Sequence, residues 1–150
     1  MKRVDGRIEL EHFYPHPVAR VWRALTDPEL HAKWSAPGDI RPVEGHCFEL
    51  DMGRWGKQPC RVLEVQWERR FRLAFATETL DTTITWELSA ESGGTRLRLV
   101  HEGFDLDSPL AKAALEGMGN GWPKLLERLG DALDEQESGE LPPVRSGPAR

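Results

Sequence analysis

No uninterrupted apolar run in the chain is long enough to span a bilayer, and the opening MKRVDGRIELEHF lacks the apolar segment of a signal peptide. A soluble, cytoplasmic protein is expected, with no membrane partner. Clustered positive charge is missing too: 20 Lys and Arg against 25 Asp and Glu leave a net charge of −5, with no basic run to hold phosphates. Nucleic acid is therefore not an expected partner. Cysteine is scarce, with only Cys47 and Cys60. A hairpin centred near Trp55 sets Cys47 opposite a residue near Leu63 rather than opposite Cys60, so no disulfide is expected; no metal-ligand spacing occurs either. Catalytic signatures are absent as well: there is no Gly-x-Ser-x-Gly, no phosphate loop and no nucleophile with a matched base. No internal repeat is visible. A length of 150 residues with 39% hydrophobic content suits one domain with a single core.

What is present is organised around a stretch near the end, SPLAKAALEGMGNGWPKLLERLGDALDE, from Ser108 to Glu135. At 3.6 residues per turn, Leu110, Ala114, Leu115, Met118, Trp122, Leu125, Leu126, Leu129, Ala132 and Leu133 fall within roughly half the circumference, opposite a charged arc. Ser108 suits the N-cap and Pro109 the first helical position. The middle is poorly made for a helix: Gly117, Gly119 and Gly121 each cost about 1 kcal/mol relative to alanine, and Pro123 about 3 kcal/mol. The apolar register survives that penalty, which points to one helix bent over a curved surface; two helices joined at Asn120 are the alternative.

Upstream, Arg7 to Tyr14 alternates in the period-two pattern of a half-buried strand. His16-Pro17 and Asp27-Pro28 open two short helices carrying Val18, Val21, Trp22 and Leu25, then Leu30 and Trp34. Alternation resumes at Cys47 to Met52 and the chain turns at Gly53 to Lys57; Pro59–Trp67 is apolar at Val62, Leu63, Val65 and Trp67, and alternation returns in Phe71–Phe75, Thr82–Leu88 and Leu97–Glu102. The expectation is an α+β fold in which a six-stranded antiparallel sheet, apolar on one face, is covered by the long C-terminal helix. Residues 137–150, poor in apolar side chains and holding three prolines, read as a disordered tail after a domain spanning residues 1–136.

Particular blocks sharpen this. Pro17-Val18-Ala19-Arg20-Val21-Trp22-Arg23-Ala24-Leu25-Thr26-Asp27-Pro28-Glu29-Leu30, followed by Trp34, resembles the opening signature of the SRPBCC (START-like) superfamily, in the branch named for the activator of Hsp90 ATPase. Gly45-His46-Cys47-Phe48, the run from Gly93 to Phe104, and Gly121-Trp122 with Leu125, Leu126, Leu129 and Leu133 are similar to later blocks of that branch. The resemblance implies a helix-grip fold, a curved sheet wrapped around the long helix, with a cavity that in many relatives holds an apolar small molecule. Relatives often carry a proline where this chain has Glu68-Arg69-Arg70.

Strand parity then nominates a wall for an aromatic or polyketide-like ligand: Phe48, Leu50, Met52, Phe75, Trp86 and His101 facing Met118, Trp122 and Leu126, with Trp34 near the mouth. The same side chains could simply fill a core. His101, and His12 behind it, could orient a ligand or act as acid or base, or be satisfied core histidines. Glu49, Asp51, Glu64, Glu87 and Glu102 fall mostly on the outward parity, so no catalytic residue is assigned. The preferred function is binding of an apolar small molecule by a monomer or weak homodimer, without cofactor or metal. Three alternatives remain. One is a cyclase- or hydrolase-type enzyme of the superfamily. Another is a chaperone-associated, stress-response factor. The last is an enediyne self-resistance protein, for which Asn120-Gly121-Trp122-Pro123 resembles a helix segment.

Overall fold

The computed structural model describes the backbone of residues 2–3 and 6–140, with side chains from residue 6 to residue 135. In chain order the elements are β1 (Lys2–Arg3), β2 (Arg7–Tyr14), α1 (Val18–Thr26), α2 (Pro28–Trp34), β3 (Cys47–Asp51), a single 3-10 turn (Gly53–Trp55), β4 (Lys57–Gln66), β5 (Arg70–Phe75), β6 (Thr82–Glu91), β7 (Gly94–Glu102) and α3 (Pro109–Glu140). The six expected strands are joined by the two-residue β1. Together they form one antiparallel sheet of order β1-β2-β7-β6-β5-β4-β3. This is the curved sheet and long helix of the helix-grip fold.

The order explains the two short helices. β2 pairs with β7 near one edge, whereas the next strand, β3, forms the other edge. The chain must cross the full width of the sheet between them, and α1 and α2 occupy that crossing. Asp27 makes the corner between these helices: its carboxylate accepts from the backbone N–H groups of Glu29 and Leu30, and Pro28, lacking an N–H, needs no acceptor there. The β3 edge is covered by the loop after α2, with Gly38 bridged to Leu50 and Asp51 N–H donating to Pro37. A Cβ at Gly38 would lie 2.3 Å from the Glu49 carbonyl oxygen, so only glycine fits.

The concave face is apolar and the convex face charged. Ile8, Phe48, Leu50, Val62, Phe71, Leu73, Phe75, Ile84, Trp86, Leu97 and Leu99 join Trp122, Leu126, Leu129 and Leu133 of α3 in one core. On the outer face Glu9, Arg98, Glu87, Arg70 and Glu64 alternate in sign across β2, β7, β6, β5 and β4 as a chain of ion pairs. The outward parity expected for Glu64 and Glu87 is thus used in pairing strands.

Several expectations need correction. α3 is one helix running through Pro123, as the preferred reading had it, but it continues to Glu140, four residues into the segment read as a tail; residues 141–150 lie outside the described residues. Leu110, placed on the apolar arc, is 62% exposed, while its neighbour Ala111 is the residue buried at the helix start. Cys47 lies opposite Arg61, and Phe48 opposite Cys60; the 3-10 turn makes the hairpin two residues tighter than the sequence suggested. Both thiols are free. Of the residues named apolar over Pro59–Trp67, Val62 is buried but Leu63 and Trp67 are exposed, and the β4 register shifts between Val62 and Glu64. The β4–β5 turn, built without proline, uses Glu68 at φ 61° and an Arg69 N–H bond to the Gln66 carbonyl.

Candidate functional site

The interior is lined by rings in edge contact. Trp34 meets Trp86 (centroids 5.8 Å apart), Trp86 meets Trp122 (5.5 Å), Trp122 meets His101 (5.9 Å), and His101 meets Phe104 (4.6 Å) and Phe75 (5.7 Å). Five elements supply all of them but Phe104, which follows β7. α2 carries Trp34, α3 carries Trp122, and β5, β6 and β7 carry Phe75, Trp86 and His101 at inward positions of the alternation. Most of these contacts are near-perpendicular, the arrangement ring quadrupoles favour.

His101 is the polar centre of this wall and is fully buried. Trp122 Nε1–H donates to His101 Nδ1 at 3.1 Å, which fixes Nδ1 as the acceptor. The ring hydrogen therefore sits on Nε2, directed at Thr82 Oγ1 2.8 Å away, and the Thr82 hydroxyl is directed in turn at the Phe75 carbonyl at 3.4 Å. The imidazole is neutral. Burial pushes its pKa down to about 3, since a second ring proton would confront the Trp122 N–H with no counter-charge beside it. The partner that sequence reasoning did not find is this pair, Thr82 and Trp122. Ile84 lies directly opposite His101 in the register, placing Thr82 on the diagonal.

The ten nominated residues divide. Phe48, Leu50, Phe75, Trp86, His101, Trp122 and Leu126 are buried on the inner side, and Met52 and Met118 are half-buried against the same core. Trp34 is not near a mouth: it is fully buried and donates from Nε1 to the Ala24 carbonyl at 2.8 Å, locking α2 onto α1. His12 is half-buried and stacked on Tyr14 at 4.4 Å, away from the His101 wall. It lines a cleft of about 300 Å³ with Tyr14, His16, Glu127, Gly130, Asp131 and Asp134, where His16 Nε2 lies 2.8 Å from Asp134 Oδ1. A second cleft, of about 460 Å³, lies at the β3–β4 edge around Cys47, Phe48, Pro59, Arg61 and Thr77. Among the described residues no group of His, Cys, Asp and Glu is placed to hold a metal ion. No helix of the described residues is long and apolar enough to cross a membrane.

α3 is not equally sealed along its length. From Trp122 onward Trp122, Leu126, Leu129 and Leu133 are buried, and Tyr14 Oη–H anchors this half through the Leu126 carbonyl at 2.7 Å. Before it, Ala114, Leu115 and Met118 are only half-buried, and a Cβ at Gly121 would meet nothing within 4 Å.

A curved sheet gripping a long helix with this ring-lined interior defines a helix-grip protein of the SRPBCC type. More particularly, the chain belongs to the family described as Activator of Hsp90 ATPase homolog 1-like protein, which matches residues 15–134. Among solved structures it is similar to protein MLL2253 from Mesorhizobium loti, with 30% identity, 86% of this chain and 97% of that one covered, and a TM-score of 0.78. Protein BH1534 from Bacillus halodurans gives 28% identity, coverage of 89% and 99%, and a TM-score of 0.76. DynU16, a putative protein in the dynemicin biosynthetic locus, shares the fold at 22% identity and a TM-score of 0.73, with 87% of this chain and 48% of that one covered. No curated protein matches.

Proposed function

We propose that the protein binds an apolar small molecule, aromatic or polyketide-like, between the sheet and the first half of α3. The observation that carries this reading is the unequal burial of α3. In its second half Leu126, Leu129 and Leu133 are buried with Leu125 and Ala132 half-buried, while in its first half Ala111 is buried but the larger Leu115 and Met118 stay half-buried near Gly121, whose missing side chain leaves open space. A flexible thioether and a bare glycine make a wall that can yield to a guest at little cost in packing. The rings of Phe75, Trp86, Trp122 and Phe104 offer such a guest edge and face contacts.

Catalysis is less well supported. A general base needs a free lone pair, and the Nδ1 lone pair of His101 already accepts from Trp122. An enediyne-protection role would use the same wall, and the half-buried Gly121 within Asn120-Gly121-Trp122-Pro123 is the feature that favours it. The likeness to DynU16 carries fold alone.

The test is a panel of hydrophobic aromatics followed by melting temperature and tryptophan fluorescence. Binding to the folded state raises the melting temperature and quenches Trp86 and Trp122. Gly121→Leu, which fills the open side without breaking the helix, abolishes the response while the fold is kept. A panel that leaves both signals unchanged overturns the reading.

A further inference from the structure

Two of the core indoles have clear acceptors: Trp34 Nε1–H donates to Ala24, and Trp122 Nε1–H to His101. Trp22 differs. Its side chain is only 1% exposed, yet Nε1 finds no hydrogen-bond acceptor among the described residues. Withdrawing an N–H group from water without a partner is costly, and native interiors rarely keep such a group without a reason.

The surroundings of that donor are aromatic and partly open. Trp67 lies 5.6 Å from Trp22 with the rings tilted by 57°, and Phe71 lies 5.7 Å away at 65°. Trp67 is itself 64% exposed, so the ring that carries the buried, unpaired donor is packed beside an indole that stands mostly in water. Trp67 belongs to the short β4–β5 connection, just before Glu68 in its left-handed conformation. The site is continuous with the ring-lined interior, because Phe71 is the register partner of Trp86, which contacts Trp122.

We propose that Trp22 Nε1–H is the polar anchor for a molecule bound at the Trp22–Phe71 end of the ring-lined interior. The ligand class this defines is an aromatic ring system bearing a hydrogen-bond acceptor such as a ketone oxygen, its rings against Phe71 in the place the Trp67 indole gives up and its oxygen on the Trp22 donor. The inference rests on the reading of the protein as a binder of apolar small molecules and narrows it. The displaced group is Trp67, the ring neighbour of Trp22 that solvent already reaches.

A matched pair of probes separates the two ideas: 1-tetralone, and tetralin, its hydrocarbon counterpart. In the indole region of a proton–nitrogen correlation spectrum the six tryptophans give six cross-peaks, with Trp22 assigned by its loss in Trp22→Phe or by through-space contacts to Phe71. The expected result is that 1-tetralone binds at least about fivefold more tightly than tetralin, a modest value for one hydrogen bond, and moves the Trp22 N–H proton downfield. Trp22→Phe binds both probes equally. If that variant does not fold, the affinity ratio and the cross-peak shift of the unaltered protein decide alone. Equal affinities with an unmoved Trp22 peak overturn the anchor and leave the binding reading standing. A Trp22 proton already at high field in the free protein, as a donor over the Phe71 ring face would give, and indifferent to 1-tetralone, also overturns it. If neither probe binds, both ideas fall.

Discussion

His101 shows how a single buried residue ties stability to pH. With the Trp122 hydrogen pointing at Nδ1 and the Nε2 hydrogen pointing at Thr82, the neutral ring is satisfied on both sides, and burial pushes its pKa from 6.5 down to about 3. His31 behaves alike: Nδ1 bonds the Ala36 carbonyl at 3.1 Å, and burial pushes its pKa down to about 4. In the unfolded chain both rings take up a proton near pH 6.5, so below that pH the unfolded state binds more protons than the folded one. Stability from these two groups is therefore fully present above about pH 6.5 and is lost as pH falls toward 3 to 4. Melting curves across that range are expected to show a steep loss of melting temperature that Asp and Glu alone would place lower. His101→Gln should flatten the upper part of the slope even if it lowers stability throughout. A profile unchanged by that substitution would show that His101 is already charged in the fold. Strand parity was enough to place His101 inside. It could not supply Thr82 and Trp122 as partners, because that pairing depends on the β6–β7 register and on where α3 crosses the sheet.

Within α3 the glycines have distinct roles that spacing alone does not separate. Gly117 and Gly121 have open space where a side chain would begin, whereas a Cβ at Gly130 would sit 3.3 Å from the Tyr14 ring. Gly117→Ala and Gly121→Ala should therefore each stabilise the protein by about 0.5–1 kcal/mol, the helix-propensity gain. Gly130→Ala should gain nothing or lose stability, since Tyr14 is held in place by its bond to Leu126. Denaturant midpoints of the three variants check this, and a gain at Gly130 equal to that at Gly121 would contradict it. The helix was legible in outline: its cap is confirmed by the Ser108 Oγ bond to the Ala111 N–H, and Trp122, Leu126, Leu129 and Leu133 are buried as their period requires. Its exposed start was not legible. Leu110 obeys the same 3.6-residue period as Leu126, and nothing local reports that Ala111 rather than Leu110 is buried there. The same limit applies to β4, where Val62 and Leu63 are both apolar and nothing local reports that Val62 faces inward and Leu63 outward.

At the scale of the whole molecule the parts act as a grip. The outer ion-pair chain from Glu9 to Glu64 spans five strands. Each exposed pair adds little by itself, yet together they keep the charged face outward and leave the opposite face to the rings and α3. Antiparallel order and the covering helix followed from alternation and from the amphipathic stretch, because both patterns repeat often enough to average out local errors. The site followed less well. Burial was read correctly for Phe48, Phe75, Trp86 and Trp122, but Trp34 turned out to be a rivet between two short helices, and Trp22 was treated as ordinary core. The central claim is that the space beside Met118 and Gly121 holds an apolar molecule, and native mass spectrometry of the protein isolated from its own host tests it most directly. The account predicts a species heavier than the 150-residue polypeptide that releases a small hydrophobic compound on denaturation and is missing from Gly121→Leu. The polypeptide mass alone, in a protein that also shows no thermal response to hydrophobic aromatics, would contradict it.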